Sequence, residues 1–582
     1  LRAVTDSAAT TKGSRLTSQE LDNNFLHVLD SANGTFTASG SGATSSSVQD
    51  RGRLEINLWD ALSTAEKADM GTASLDVSTA VATAIGWFGA NGGTLVVPGY
   101  FGLGATGIAL TSKTGIVIEG RGPKAGFKAI GTSTTDGGGG IGVSWIRFTT
   151  NTRCGLRNLY LDNNAKVQNA VSGSVNTDCF IEGCTIVNGA LNASIFFYGG
   201  TGNKFARNVL QTNAANSRGM WIGNVNASTE ETDCLIDGNY ISGMGASSIG
   251  GVLIRGVISN NRCIDGGNSG SGIVQAASAN AHAKDVAITG NVCKGHGQGI
   301  QVGDPSAAGN YVEQITVSGN VCTTNVVNGI GIYEGRDVAI NGNVCRDNLT
   351  GGGTGAGIYL SVGKRVAISG NICNDTRAGA SRTQNYGILV NAATGASDIQ
   401  DAQITGNVCY NNLIHGIFVT NSGSGTIVNL SIVGNSCPSN ATSGIRVANV
   451  ADGNIAPVIC VGNLCLGNGT NDIRMDPTSA VLSGNFFSSQ QTIVPTFTSL
   501  DATPSVSGRT VWRCNNGGAT TITNFDDGME GQEITILFND ANTSIADAGN
   551  FRLSAAFSSS QDDVLKLVLF TSVWYEVSRS AN

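Results

Sequence analysis

The sequence predicts an all-β solenoid, a right-handed parallel β-helix, and three observations carry that expectation. The first is a motif of the form apolar-Ile-Ser/Thr-Gly-Asn-apolar-Cys that recurs thirteen times between residues 157 and 487. Its fullest copies are AITGNVC (287–293), TVSGNVC (316–322), AINGNVC (339–345), AISGNIC (367–373) and QITGNVC (403–409), with looser copies from GLRNLYL and FIEGCTI to VLSGNFF on either side. The Asn column, read from Asn158 to Asn485 with Cys184 in second place, covers 327 residues in twelve intervals, about 27 per repeat. A fixed period of that length marks a solenoid. The second observation is an offset run in each repeat: GIQV (299–302), GIGI (329–332), GIYL (357–360), GILV (387–390), GIFV (416–419) and GIRV (444–447). These runs are short, alternating and bounded by turn residues, so they read as strands. The third is composition. There are 81 glycines among 582 residues, with 13% charged residues and only 8 prolines, which suits stacked coils with tight corners. No part of the array keeps a helical period. Two or three strands per coil follow, with coils about 4.8 Å apart.

The elements are expected in this order. Residues 1–50 hold a helix, TSQELDNNFLHVLDSAN, opened by a Thr17/Glu20 capping box and carrying Leu21, Phe25, Val28 and Leu29 on one face. A helix this short is marginal alone, so it packs on the domain or associates with itself. Residues 38–49 have the composition of a flexible linker. Residues 51–130 form a neck and N-terminal cap. A second helix around 57–70 is capped by Ser63 with Glu66. A further helix, with an apolar stripe of Val77, Val81, Ala84, Ile85 and Phe88, covers the open end of the first coil, whose backbone groups are otherwise unpaired. The β-helix proper spans 131–494. Residues 495–582 alternate as TVWRC, TTITNF, QEITILF, VLKLVLF and SVWYEVS, the pattern of an antiparallel β-domain.

Two columns of the repeat have physical readings. Gly and Asn both tolerate the left-handed backbone that a sharp corner requires, and stacked Asn amides can bond from coil to coil. Eight of the fourteen cysteines, Cys263, Cys293, Cys322, Cys345, Cys373, Cys409, Cys437 and Cys465, share one position. Parallel side chains one coil apart do not meet disulfide geometry. The column is therefore expected to be inward, apolar in character and reduced, as suits assembly in a cytoplasm. No CxxC pair or Cys/His cluster is present, so no metal and no cofactor is expected. A net charge of −8 without a basic stripe argues against nucleic acid. No run of 18 apolar residues exists to enter a membrane, and the first residues lack the pattern of a secretion signal.

Three segments resemble known proteins. Asp76 to Ile85, followed by GGTLVVPGY (92–100) and IEGRG (118–122), resembles the opening of pectate-lyase-like β-helices, although the doubled Asp usual at the helix start is absent. KGSRLTSQELDNNF (12–25) resembles a short N-terminal element of phage tail proteins. TITNFDDGMEGQEITILFNDANTSI (521–545) with VWYEVSRSAN (573–582) resembles the terminal β-domains of phage tailspikes. In this order they imply a bacteriophage tailspike. It would be a homotrimer in the virion, assembled in the host cytoplasm and joined to phage tail or baseplate proteins through its N-terminus. Its terminal β-domain would trimerise the chain or bind the receptor. The function implied is binding and depolymerisation of a bacterial surface polysaccharide, capsule or lipopolysaccharide O-chain. A non-catalytic receptor-binding adhesin has the same fold, and a secreted lyase-like enzyme is the third reading.

Polysaccharide cleavage, by a glycoside hydrolase or a lyase, takes paired carboxylates or a base beside a neutralising cation, and a carboxylate pair arises in a β-helix when acids occupy equivalent places on adjacent coils. Aligning Val302 with Ile332 sets Asp304 opposite Glu334, with Arg336 and Asp337 following and His296 before the strand. Asp304 and Glu334 are the catalytic candidates, with a solvated turn as the plainer reading. Asp347/Asp375 and Glu182/Asp237 are rival pairs. The middle residue of each Gly-apolar-x-apolar strand points outward. That column reads Phe196, Trp221, Leu253, Val274, Gln301, Gly331, Tyr359, Leu389, Phe418 and Arg446. Trp221, Gln301, Tyr359, Phe418 and Arg446 are the substrate-binding candidates. The same column suits a trimer interface equally well. His27, His282, His296 and His415 are scattered, which gives little support to a Ser-His-Asp triad.

Overall fold

A computed structural model describes residues 35–36, 46–47 and 55–580, apart from 91, 133–143, 167, 190–191, 213–216, 224–228, 279–280, 305–309, 393–397, 423–424, 449–454, 456, 476–479, 488–489, 493–495 and 507–509. The helix expected over 17–33 lies outside these residues, as does the linker of 38–49 except for Ser46–Ser47, which pairs with Thr35–Phe36. The chain divides into two compact units, Leu1–Ser217 and Arg218–Asn582.

In the first unit the helix expected around 57–70 is two short ones. Leu58–Ala61 is capped by the Asn57 side chain, and the chain extends at Leu62 before Thr64–Ala68. The Ser63/Glu66 capping box is formed, with bonds of 2.6 and 3.3 Å. Ser78–Gly86 is helical and buries Val81, Ala84 and Ile85, with Val77 buried at its N-cap and Phe88 half-buried. Parallel pairing begins before residue 131: Glu55–Asn57 pairs with Gly93–Val97, which pairs with Ile116–Gly120. Gly155–Arg157, Phe180–Glu182 and Lys204–Ala206 continue that face. Two more faces stack beside it, running from Tyr100–Leu103 to Val209–Gln211 and from Ile108–Thr111 to Ala193–Tyr198.

The second unit repeats the scheme with three strands per coil, for example Val257–Ser259, Arg262–Ile264 and Ser271–Gln275, each in parallel register with its counterpart on the next coil. Ile and Val alternate inward along these strands and are almost fully buried. The cysteine column is inward as expected. Cys263, Cys293, Cys322, Cys345, Cys373 and Cys409 stand in register, and the parallel bridges from Val408 to Ser436 and from Ser436 to Leu464 carry the series on through Cys437 to Cys465. All fourteen cysteines are unpaired and buried. Burial, then the neighbouring thiols, pushes Cys345, Cys373, Cys409 and Cys437 well above the usual thiol range.

The Gly-Asn corner divides its labour in a way the motif does not reveal. Glycine alone takes the left-handed conformation, with φ of 65, 64, 63 and 63° at Gly290, Gly319, Gly342 and Gly370. The asparagine beside it is buried and bonds upward. From Asn239 through Asn261, Asn291, Asn320, Asn343, Asn371, Asn407, Asn435 and Asn463 to Asn485, each side-chain amide donates to the next at 2.8 to 3.0 Å. Asn158 does not belong to this column. Register places it with Gly183 and Arg207, all at positive φ (53, 66 and 55°), so it occupies the glycine place. Cys184 and Asn208 hold the asparagine place.

A second amide ladder was not anticipated. The His296 amide donates to Asn325, whose amide donates to Asn348, and the chain continues through Gln384, Asn412 and Asn440 to Asn468.

The C-terminal domain packs Trp574, Phe525, Phe538, Phe551 and Phe557 with aliphatic residues into its own core. Its sheets are mixed where an antiparallel domain was expected. Glu533–Phe538, Val564–Phe570 and Val573–Ser580 pair antiparallel, but Val511–Cys514 and Phe551–Arg552 join them parallel. Side-chain alternation is the same in both arrangements, so the sequence pattern does not distinguish them.

Candidate functional site

In the second unit the outward column is Trp221, Gly250, Val274, Gln301, Gly331, Tyr359, Leu389, Phe418, Arg446 and Arg474, each in register with the next. Leu253 is not in it. The run GVLI imitates the Gly-apolar-x-apolar pattern, but the registered strand is Ile249–Gly251, and Leu253 pairs with Glu231 and is buried. In the first unit Phe196 pairs with Ser172 and is largely buried. Val274 and Leu389 are also buried, whereas Trp221, Gln301, Tyr359, Phe418 and Arg446 are half-buried.

The rings do not stand free. The Trp221 ring lies across Gly250, where an added Cβ would come within 2.6 Å of it, and the Arg218 guanidinium sits 4.7 Å from the Trp221 ring centroid. Tyr333 lies across Gly331 in the same way and meets Tyr359 edge-on at 5.7 Å.

Tyr333 anchors a polar network on this face. Its hydroxyl donates to Gln298 Oε1 at 2.9 Å and accepts from Asn328 Nδ2 at 3.3 Å. Ser271 Oγ donates to Gln301 Oε1 at 3.0 Å, and Gln301 Nε2 donates to the Gly303 carbonyl at 2.9 Å. Burial pushes the Tyr333 phenol up to about 12, so it stays protonated and able to donate.

This network runs directly into the turn that bears the two candidate carboxylates. Val302 and Ile332 are in register as the alignment required, and a Cβ on Gly303 would lie 2.7 Å from Glu334 N. Asp304 follows Gly303 and Glu334 follows Tyr333, one coil apart, and both are half-buried. The backbone carbonyl of Glu334 is fixed by Val312 N at 2.8 Å. Beside it the Arg336 guanidinium stacks on the Tyr311 ring at 3.1 Å, and Tyr311 stacks on His282 at 5.7 Å. Asp304 and Glu334 thus directly follow two members of this network, Gly303, whose carbonyl takes the Gln301 amide, and Tyr333.

The rival carboxylates have structural occupations. Glu182 contacts Arg157, Lys204 and Arg207. Asp237 accepts from Ser259 Oγ and Asn260 Nδ2. Asp347 accepts from Thr376, and Asp375 is fully buried among backbone amides and Arg377. His296 is fully buried as a member of the second ladder.

Sequence reasoning missed a second cluster. Tyr386 and His415, in register at the first position of their strands, stack at 5.8 Å. Phe418 lies 5.1 Å from Tyr386 and 5.0 Å from His415, with Arg446 5.9 Å from its ring. Burial, then Arg446 and Arg474, lowers the His415 pKa to about 4. The signal that finds these residues is the first strand position, Gln298, Asn328, Ala356, Tyr386, His415 and Ser443, which can be read from the repeat as easily as the middle one.

No family model and no curated protein matches the chain. Solved structures do. Pre-mature bacteriophage phi29 gene product 12 is similar at a TM-score of 0.51 and 14% identity, over 80% of this chain and 62% of that one, so the chain spans less than two thirds of its length. A tailspike protein mutant of E. coli bacteriophage HK620 in complex with a hexasaccharide aligns at a TM-score of 0.46 and 14% identity, over 80% of this chain and 84% of that one. The catalytic unit of a thermostable GH87 α-1,3-glucanase from Streptomyces thermodiastaticus aligns at 0.43 and 16% identity, over 78% and 70%. The chain shares its fold with the phi29 protein.

Proposed function

We propose that this chain is a phage tailspike that binds a bacterial surface polysaccharide, capsule or lipopolysaccharide O-chain, and cleaves it during attachment to the host. The observation that carries the reading is the Asp304/Glu334 turn, set at the end of a fixed amide and phenol network on a solenoid face. One carboxyl gives its proton to the glycosidic oxygen as that bond breaks. The other, ionised, either attacks the anomeric carbon or takes the proton from the water that does. Gln301 and Tyr359 hold sugar rings beside the pair, and Trp221, Phe418 and Arg446 extend the track along the same column. The three sequence resemblances support the tailspike reading, and the fold shared with the phi29 protein agrees with it.

The assembly proposed is a homotrimer joined to the phage tail through its N-terminus. In its favour, the C-terminal domain exposes Val511, Met529, Phe570, Tyr575 and Val577, apolar surface of the kind that subunit contact covers.

The test is substitution. Asp304→Asn and Glu334→Gln are each expected to fold, assemble and bind glycan while turnover falls by at least about 10²-fold, the scale of lost acid–base catalysis. If both cleave like the parent, the pair is a surface turn. If the parent binds glycan and never shortens it, the chain is an adhesin and the aromatic column is its working surface.

A further inference from the structure

One coil is longer than its neighbours. The second amide ladder steps over 36 residues between Asn348 and Gln384, against 23 from Asn325 to Asn348 and 28 at each of the next three steps. Extra residues in one repeat of a solenoid emerge as a loop on one face, often the binding face. Here the loop is fastened at both ends by the buried Asp375. Its carboxylate accepts from the backbone amides of Arg377 (3.0 Å), Thr383 (2.6 Å) and Gln384 (2.9 Å), and pairs with the Arg377 guanidinium at 2.8 Å. Burial alone would raise the Asp375 pKa. The guanidinium and the three amides outweigh it and hold the carboxyl below its ordinary value. The loop's base is therefore fixed without Arg382.

Arg382 lines a shallow, open cavity of about 540 Å³ together with Gly379, Ala380, Leu413, Ala441 and Gly467. Its Nη1 donates to the Asn412 carbonyl at 3.3 Å, while its Nε is buried with no hydrogen-bond partner. Of the described residues lining the cavity, Arg382 alone is ionisable, so the cavity is cationic. A Cβ on Gly379 or Gly467 would meet nothing within 4 Å, which leaves the backbone there open to a ligand. Leu413, Ala380 and Ala441 supply apolar surface for the C–H face of a sugar ring. The loop leads straight into the strand of Tyr386, and Leu413 into that of His415.

We infer that this cavity is a subsite for a negatively charged sugar residue, whose carboxylate pairs with the Arg382 guanidinium. A guanidinium meets a planar carboxylate in a fork that neutral hydroxyls do not match. The inference rests on reading the chain as a polysaccharide-binding protein and adds the class of sugar.

The test is saturation-transfer NMR on the full chain with methyl glucuronide and methyl glucoside as probes. The glucuronide is expected to give signals that weaken with added salt, and the glucoside little signal. Arg382→Gln is expected to weaken glucuronide binding about 10-fold, the worth of one charge-assisted contact, with an unchanged melting temperature. Glu334→Gln is expected to leave it intact, which separates this site from the proposed catalytic pair. Equal signals from the two sugars, none from either, or an unchanged signal in a folded Arg382→Gln would overturn the inference. So would displacement of the glucuronide by an equimolar amount of inorganic phosphate, since the cavity would then read charge without sugar. Failure here alongside cleavage of a neutral polysaccharide would leave the proposed function standing.

Discussion

Asn343 shows how single side chains hold the coils together. Its backbone amide and side-chain amide both donate to Asn371 Oδ1 at 2.9 Å, its Nδ2 also reaches the Val317 carbonyl, and its own Oδ1 accepts from Asn320 N and Nδ2. Each buried group left unpaired costs about 1–3 kcal/mol. Asn343→Ala is therefore expected to lower stability by about 3 kcal/mol, measured as a shift in the urea midpoint. His296 ends the other ladder. Burial lowers its pKa to about 4 from 6.5, against weaker upward pulls from the Cys263 backbone and Asp265. The sign is then fixed: the unfolded chain binds the proton first, so stability is full above about pH 6.5 and falls as pH drops toward 4. A shift of this size is worth roughly 3 kcal/mol. His296→Asn, which continues the ladder with the residue used at Asn325 and Asn348, is expected to flatten the fall in melting temperature between pH 6.5 and 4.5. An unchanged pH profile would show that His296 is not the titrating group.

At the scale of the element, the solenoid was legible because its motif keeps one residue type in one place. The cysteine column could be read inward from position alone, and it is inward. Thiol reagents are expected to label the native protein slowly and to find all fourteen thiols once it is unfolded without reductant. A denatured count near zero would contradict the column as described. What repeats by backbone role and not by residue type was harder to see. The second ladder changes from His to Asn to Gln, and the long coil at 376–383 breaks its spacing although not its bonds. Asn158 carries the motif's residue in the glycine's place, and Leu253 mimics the outward position in a coil whose strand ends at Gly251. Of the candidate site, the register of Val302 with Ile332, two residues before Asp304 and Glu334, followed from strand alignment. Tyr333 did not, because it lies just past the end of its strand, where alternation no longer says which way a side chain points.

For the whole molecule, subunit association is the first consequence open to measurement. Light scattering is expected to give about three times the 59.4 kDa of one chain, and a stable monomer would remove the trimer from the account. Serine in place of Phe570 is expected to weaken that association while leaving the β-helix folded, because half of this ring faces solvent in the single chain. The central claim is that the turn carrying Asp304 and Glu334 cuts a bacterial surface glycan. Its most direct test is size-exclusion chromatography of purified capsule or O-chain polysaccharide after incubation with the parent protein and with Glu334→Gln. The account predicts that the parent shifts the polymer to short oligosaccharides and that the variant, at equal concentration and with the same assembly, leaves it long. A polymer shortened equally by both would contradict it.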